Sequence, residues 1–272
     1  MPEPSMESVH GYARVLGMAP AAEGMFLLRL EIPEIQKRAR PGQFVMLGPI
    51  PGEDLLDPFL NRPFTIHRVL ANEVWLLIAM IGRGTRLLGA ERMGRSIGIL
   101  GPLGRGFAVP PGADPIFLVG GGAGVAPLFF LAEWLTARGQ KAILVYGVPS
   151  LDRVVSTEVL TRGNTEVHLA TDNGTTGFHG NAVELLGERL AGFDPARLGS
   201  AYLAACGPAP MMRSAVYVSS QAGIRTVEVS LESHMACGRG ACLGCTVFFP
   251  DGNGRRVCCD GPVFDGREVF RP

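Results

Sequence analysis

Pro115-Ile-Phe-Leu-Val-Gly-Gly-Gly-Ala-Gly-Val-Ala-Pro-Leu-Phe-Phe-Leu-Ala132 is the stretch on which the fold turns, because its 18 residues carry no charge. A run of that length approaches the ~20 apolar residues that cross a bilayer as a helix. Gly120, Gly121, Gly122 and Gly124 interrupt it, however, and Pro127 follows, so one continuous helix would be broken at its middle. The stretch reads as a strand from Ile116 to Val119, a Gly-rich turn, and a helix through Phe129 and Trp134. No membrane span is expected.

The same rhythm continues downstream. Apolar strands at Ala142 to Tyr146, Glu166 to Ala170 and Tyr202 to Ala205 alternate with helices around Val154 to Leu160, Ala182 to Leu190 and Met211 to Ser220, which predicts a parallel sheet covered on both faces. Residues 112–228 are assigned to this α/β domain. Upstream, short β-rich runs at Met25 to Ile32, Phe44 to Leu47, Thr65 to Leu70, Val74 to Met80 and Ser96 to Leu100 predict an antiparallel barrel or sandwich over residues 1–111. The last stretch, residues 229–272, has too little periodicity for a core of its own and needs a metal or a neighbour. A length of 272 residues suits this multi-domain division.

Lys and Arg number 25, as do Asp and Glu, and no basic stripe appears. Nucleic acid is therefore excluded as a first-choice partner. Charged residues make up 18% against about 25% in an average domain, so some of this bland surface is expected to lie under a protein partner. Glu3, Glu7, Arg14 and Glu23 break up the first residues, which predicts no secretory signal and a cytoplasmic protein.

Five of the six cysteines crowd into the tail. Cys237, Cys242 and Cys245 with a later cysteine form C-x4-C-x2-C then C, the spacing of four thiolates around a plant-type [2Fe-2S] cluster. Gly238, Gly240 and Gly244 let the backbone close on the sulfides. A zinc site is the alternative, but structural zinc uses ligand pairs separated by a dozen or more residues. Cys258 and Cys259 are adjacent, and only one can be the fourth ligand.

Gly120 to Pro127, placed between strand and helix, suits a pyrophosphate at a helix N-terminus. It departs from the usual dinucleotide fingerprint: Pro127 stands where the third Gly belongs, and Tyr146-Gly147-Val148-Pro149 supplies no acid at the end of the next strand. A plain strand-to-helix turn is the competing reading. Arg62, in Asn61-Arg62-Pro63-Phe64-Thr65-Ile66, offers a fork for phosphate, and Thr65 a polar group for a flavin ring. Gly82-Arg83-Gly84-Thr85 follows another strand, and all of these are also ordinary strand and turn residues. His67 reads as a satisfied barrel residue, Cys206 as a small hydrophobe. Arg153, after Ser150, reads as an exposed helix-start residue, with a 2'-phosphate as its alternative contact.

Together these motifs resemble the ferredoxin-reductase-like flavoproteins, in particular the family of electron-transfer subunits of NAD-dependent dihydroorotate dehydrogenases. The resemblance covers nearly the whole chain. It implies an FAD-binding β-barrel domain, an NAD-binding α/β domain and a small C-terminal [2Fe-2S] module. FAD contacts would come from Arg62, Pro63, Phe64 and Thr65, from Ile78 on the strand before the G-T pair, and from Gly84 and Thr85. Ala79-Met80-Ile81 stands where many relatives carry a polar or basic residue. Gly120, Gly121, Gly122 and Gly124, with Cys206 and Gly207 of the Cys206 to Met212 run, would frame the nicotinamide. Alignment on Asp260-Gly-Pro-Val-Phe264 makes Cys258 the fourth cluster ligand beside Cys237, Cys242 and Cys245. The implied partner is an FMN-containing dihydroorotate dehydrogenase catalytic subunit in a heterotetramer. Its electrons would pass singly through the cluster to FAD and leave to NAD. A related reductase subunit serving ferredoxin, a hydrogenase or another dehydrogenase is the neighbouring alternative, and a non-enzymatic iron-sulfur sensor the more distant one.

Overall fold

The computed structural model describes residues 8–48, 60–90 and 93–271; Glu3 and Glu7 lie outside them. Its first half is a closed antiparallel barrel, built from β1 (Val9–Ala22), β2 (Met25–Glu31), β3 (Phe44–Leu47), β4 (Arg62–Leu70), β5 (Glu73–Ala79) and β6 (Ser96–Leu103). The order round the barrel is β1-β2-β5-β4-β3-β6, with α1 (Pro33–Arg38) and α2 (Arg83–Gly89) in the connections. Leu28, Leu30, Ile66, Leu76, Ile78 and Ile97 fill the interior. The longest strand, β1, is not among the expected ones. Gly11, Gly17 and Pro20 dilute its alternation, and it is held instead by neighbours on both sides, β2 and β6.

The second half is a seven-stranded sheet in the order β10-β9-β8-β7-β11-β12-β15. Its elements are β7 (Ile116–Gly121), α3 (Ala126–Thr136), β8 (Ala142–Val148), α4 (Glu158–Thr161), β9 (Thr165–Thr171), β10 (Phe178–His179), α5 (Ala182–Ala191), α6 (Pro195–Leu198), β11 (Tyr202–Cys206), α7 (Ala209–Gln221) and β12 (Thr226–Ser230). The uncharged run is thus β7, a turn and α3, and no described helix is long and apolar enough to cross a membrane. The helix expected over Val154 to Leu160 is not formed as such. A 3-10 turn at Leu151–Arg153 and the single turn of α4 replace it. After β10 the chain crosses over β7 to add β11 on the far side, so the strand order reverses between β7 and β11. In open α/β sheets that switch point is where a ligand crevice opens.

The tail comprises β13 (Thr246–Phe248), β14 (Gly254–Arg256), β15 (Val263–Asp265) and α8 (Gly266–Val269). Strand β12 crosses the expected boundary at residue 228, and β15 pairs antiparallel with it, Val263 opposite Ser230. The tail's apolar residues have no separate core. Val257, Phe249 and Phe264 pack with Phe44, Met46, Leu100 and Leu103 of the barrel. Barrel and sheet are clamped by Arg68 of β4, whose guanidinium grips the Glu133 carboxylate of α3 at 2.5 and 3.0 Å. This partly buried, bidentate pair holds its geometry better than an exposed one.

Candidate flavin, nucleotide and cluster sites

Strand β4 starts with the Arg62 motif, and its register against β3 sets Pro63 opposite Met46 and Arg62 opposite Leu47. Arg62 donates to the Leu60 carbonyl at 2.7 Å. Its guanidinium lies close over Gly84: a methyl group there would stand 2.5 Å from Arg62 Nε. The two motifs, distant in sequence, are one surface, because β4, β5 and the start of α2 are neighbours in the barrel. The Gly82 amide donates to Thr85 Oγ1 at 3.1 Å, so this hydroxyl closes the start of α2. Ile78 is 1% exposed and belongs to the barrel core, which leaves its backbone rather than its side chain to meet a ligand. His67 is buried against Phe129 of α3 with ring centroids 4.6 Å apart. Burial, then the adjacent Arg68 charge, pushes it down to about 3, so the ring is neutral. The expected satisfied histidine is only partly so, since Nδ1 has no hydrogen-bond partner among the described residues.

At the switch point the turns after β7 and β11 close on each other. A methyl at Gly124 would lie 2.5 Å from the Cys206 carbonyl oxygen, and one at Gly207 would lie 3.0 Å from the Gly121 amide nitrogen. Gly122 and Gly207 have φ of +54° and +155°, where side chains are disfavoured. Gly120, paired with Cys206 across the strands, completes the turn that leads into α3. Cys206 is a buried neutral thiol, pushed up by burial and then by the charge of Glu232. These are the features of a cradle that admits a pyrophosphate to backbone amides.

An acid also follows the next strand, displaced from the position that the sequence pattern examines. Beyond the end of β8, the 3-10 turn carries Asp152, whose carboxylate accepts from the Ser150 hydroxyl and is held below the usual carboxylate range by it. Arg153, exposed in the 3-10 turn as expected of a helix-start residue, turns to the barrel and pairs with Glu23 at 3.0 Å. The hidden signal is one of register: an acid displaced by a turn beyond the strand end escapes a fixed-spacing rule.

The four thiols expected as ligands fall into two contacts, and Cys259 lies beside one of them. Cys245 Sγ lies 3.2 Å from Cys258 Sγ, both buried on the side facing the barrel. Cys237 and Cys242 interact on the outer side. Among the described residues no group of three or more metal-ligating side chains converges on a single point. Paired thiols suit a dinuclear centre, in which each iron takes two. Backbone amides point at the sulfurs: Arg239 and Cys242 at Cys237 Sγ, at 3.4 and 3.5 Å, and Gly240 at Cys258 Sγ, at 3.1 Å. Burial opposes ionisation of Cys237, yet these amides and the Cys242 side chain bring it down to about 6. Burial, then Cys245 beside it, pushes Cys258 up; bound iron overrides such a penalty. The donor set therefore fits four thiolates on a [2Fe-2S] cluster. Gly238, with φ of +67°, presses on the barrel so closely that a methyl would lie 2.7 Å from Met46 Cγ.

A barrel bearing the Arg62 surface, a parallel sheet with a glycine cradle at its switch point, and a thiolate tail docked on the barrel make this a ferredoxin-reductase-like oxidoreductase. Residues 232–270 match the family model described as the iron-sulfur cluster binding domain of dihydroorotate dehydrogenase B. The chain is 36% identical to the dihydroorotate dehydrogenase B (NAD(+)) electron transfer subunit of Bacillus caldolyticus, over 91% of this chain and 93% of that one. It belongs to the family of these electron transfer subunits. Among solved structures, a chain from a study of an NADH-dependent reduced ferredoxin-NADP oxidoreductase superposes with a TM-score of 0.79 at 25% identity, covering 94% of this chain and 89% of that one. A ferredoxin NADP+ reductase from Neisseria gonorrhoeae with bound FAD and NADP shares the fold at a TM-score of 0.66 and 19% identity, over 79% and 92%.

Proposed function

We propose that this chain is the electron-transfer subunit of an NAD-dependent dihydroorotate dehydrogenase, serving pyrimidine biosynthesis, with dihydroorotate itself oxidised on a partner chain that carries FMN. The observation that carries this reading is a juxtaposition. Gly238 of the cluster loop touches Met46, and Met46 is the register partner of Pro63 in the flavin motif. One strand spacing, about 4.8 Å, separates the cluster loop's seat from that motif. FAD, the [2Fe-2S] cluster and NAD would supply the redox chemistry, exchanging single electrons at the cluster and electron pairs at the nicotinamide.

The chain's own residues bind, orient and separate these carriers. Arg62, seated on Gly84, offers its fork to a flavin phosphate. Gly120 to Gly124 and Gly207 open backbone amides to the dinucleotide, while Cys206, a buried neutral thiol, packs behind it without supplying a proton. Cys245 and Cys258 hold the inner side of the cluster against the barrel. Cys237 and Cys242 hold the outer side, where Cys242 is exposed.

The outer side also supports a docking face for the FMN subunit in a heterotetramer. Leu243, next to Cys242, and Phe248 of β13 stand 61% and 79% exposed, an unusual placing for large apolar side chains in a weakly charged protein. Copurification or mixing with an FMN-type dihydroorotate dehydrogenase subunit, read as dihydroorotate-dependent NAD reduction, tests the assignment. A chain that oxidised dihydroorotate alone would refute it.

Two further outcomes are expected. Arg62→Ala removes a charge-assisted fork worth about 1.5–3 kcal/mol, so FAD retention weakens about 10- to 100-fold while the barrel, whose core excludes Arg62, stays folded. Flavin content after desalting, set beside the thermal midpoint, measures both. The dinucleotide preference follows from Asp152 and Arg153. With Asp152 as the acid that meets the ribose, a 2'-hydroxyl is favoured, and the neighbouring Arg153 is engaged by Glu23. NADH is expected to exceed NADPH in kcat/KM by about 10- to 100-fold, and Asp152→Ser to narrow the gap.

A further inference from the structure

Cys259 is the one tail cysteine that the ligand set leaves over. Its sulfur lies 3.6 Å from Cys258 Sγ. It also fills the space above Gly240, where a methyl group would stand 2.8 Å from Cys259 Sγ. The turn that carries it is tied down. Its amide donates to the Arg256 carbonyl at 3.1 Å, and the Asp260 carboxylate accepts from the Arg256 amide at 2.8 Å and from its guanidinium at 3.2 Å. The side chain is half-buried in the core shared by tail and barrel, so its position does not depend on loose surface packing.

Resting on the reading of Cys258 as a cluster ligand, we propose that Cys259 is a tuning residue whose thiol donates a hydrogen bond to the Cys258 sulfur. Either sulfur of a free pair can be the donor, but a thiolate bound to iron has no proton to give, so the direction becomes Cys259 to Cys258. The Gly240 amide reaches the same sulfur, giving Cys258 two donors on the inner side of the cluster. Donors to ligand sulfur stabilise the reduced, more negative state and raise its potential. The inner side packs with Phe44, Met46, Leu100 and Leu103 of the barrel, so the contact is held in a fixed, apolar setting.

The test is an anaerobic redox titration of the cluster in the full-length chain, followed by the EPR signal of its reduced form. Cys259→Val, which loses the donor and adds one methyl group at a half-buried position, should retain iron and acid-labile sulfide. At a fixed poise its reduced-to-oxidised ratio should fall about three- to tenfold, tenfold being 59 mV for one electron. Cys259→Ser keeps an O–H donor and should stay nearer the parent. An unchanged ratio in Cys259→Val, or an equal shift in both variants, would overturn the proposal. So would loss of the cluster in both variants together with its survival in Cys258→Ser, because Cys259 would then be the ligand. A parent chain without iron and sulfide would overturn the cluster reading itself, and this inference with it.

Discussion

Dihydroorotate-dependent reduction of NAD by the assembled complex is expected to collapse when Cys245 is replaced by serine. NADH oxidation by the same chain with an artificial two-electron acceptor should persist. Cys245 is 2% exposed, and its sulfur lies 3.2 Å from that of Cys258, so both belong to the inner, barrel-facing side of the cluster site. Serine offers a hydroxyl that ferric iron binds poorly, and the buried position leaves no room for a substitute ligand from solvent. Even outer partners of metal ligands cost about 10- to 100-fold when removed, so losing a direct ligand should exceed that range. The flavin and nucleotide surfaces proposed above draw on β4, α2, β7 and β11 and include no cluster ligand, which is why the two activities should part. Iron and sulfide content, diaphorase rate and coupled rate, measured on one preparation, check the claim. Coupled turnover surviving in a cluster-free variant would place the electron path elsewhere.

The second large effect is expected at Gly124, where alanine should impair NADH oxidation without touching flavin or cluster content. The added methyl would meet the Cys206 carbonyl oxygen at 2.5 Å and the Gly207 Cα at 2.6 Å. Both are backbone atoms of the facing turn, so no flexible side chain can swing aside, and one wall of the nucleotide cradle must shift. Overpacking of this kind costs roughly 1–3 kcal/mol of stability. Displacing a reacting group by about 1 Å costs on the order of 10²-fold in rate. Gly122→Ala is the informative contrast: it adds φ strain at +54° but meets nothing within 4 Å. A smaller rate loss than at Gly124 is expected there. Equal losses at both positions would mean that turn flexibility, rather than the width of the cradle, limits the reaction.

Much of this protein is legible in its sequence. The glycines inside the uncharged Pro115 to Ala132 run force a strand-turn-helix reading, since backbone torsion and helix continuity are local matters. The cysteine spacing points to the cluster for the same reason, because three ligands within nine residues constrain the chain with little help from the remainder of the fold. The division into barrel, parallel sheet and tail follows from the change in apolar period. Strand β1 escapes that reading because glycine and proline weaken its period, and its place is set by hydrogen bonds to β2 and β6. The helix expected at Val154 to Leu160 gives way because propensity does not encode a 3-10 turn drawn toward Glu23 of the barrel hairpin.

What the sequence by itself determined were the parts whose geometry is closed within a few residues: the glycine-rich turn between strand and helix, the thiolate spacing and the alternation of elements. Tertiary structure alone decided what depends on distant segments meeting. It seated Arg62 on Gly84, set Gly124 against Cys206, and brought Gly238 onto Met46 beside the flavin motif. It also turned Arg153 toward Glu23 and placed the Cys259 sulfur against Cys258. Contacts of this kind arise from strand order and register, which packing of the whole chain selects, and no local pattern encodes them.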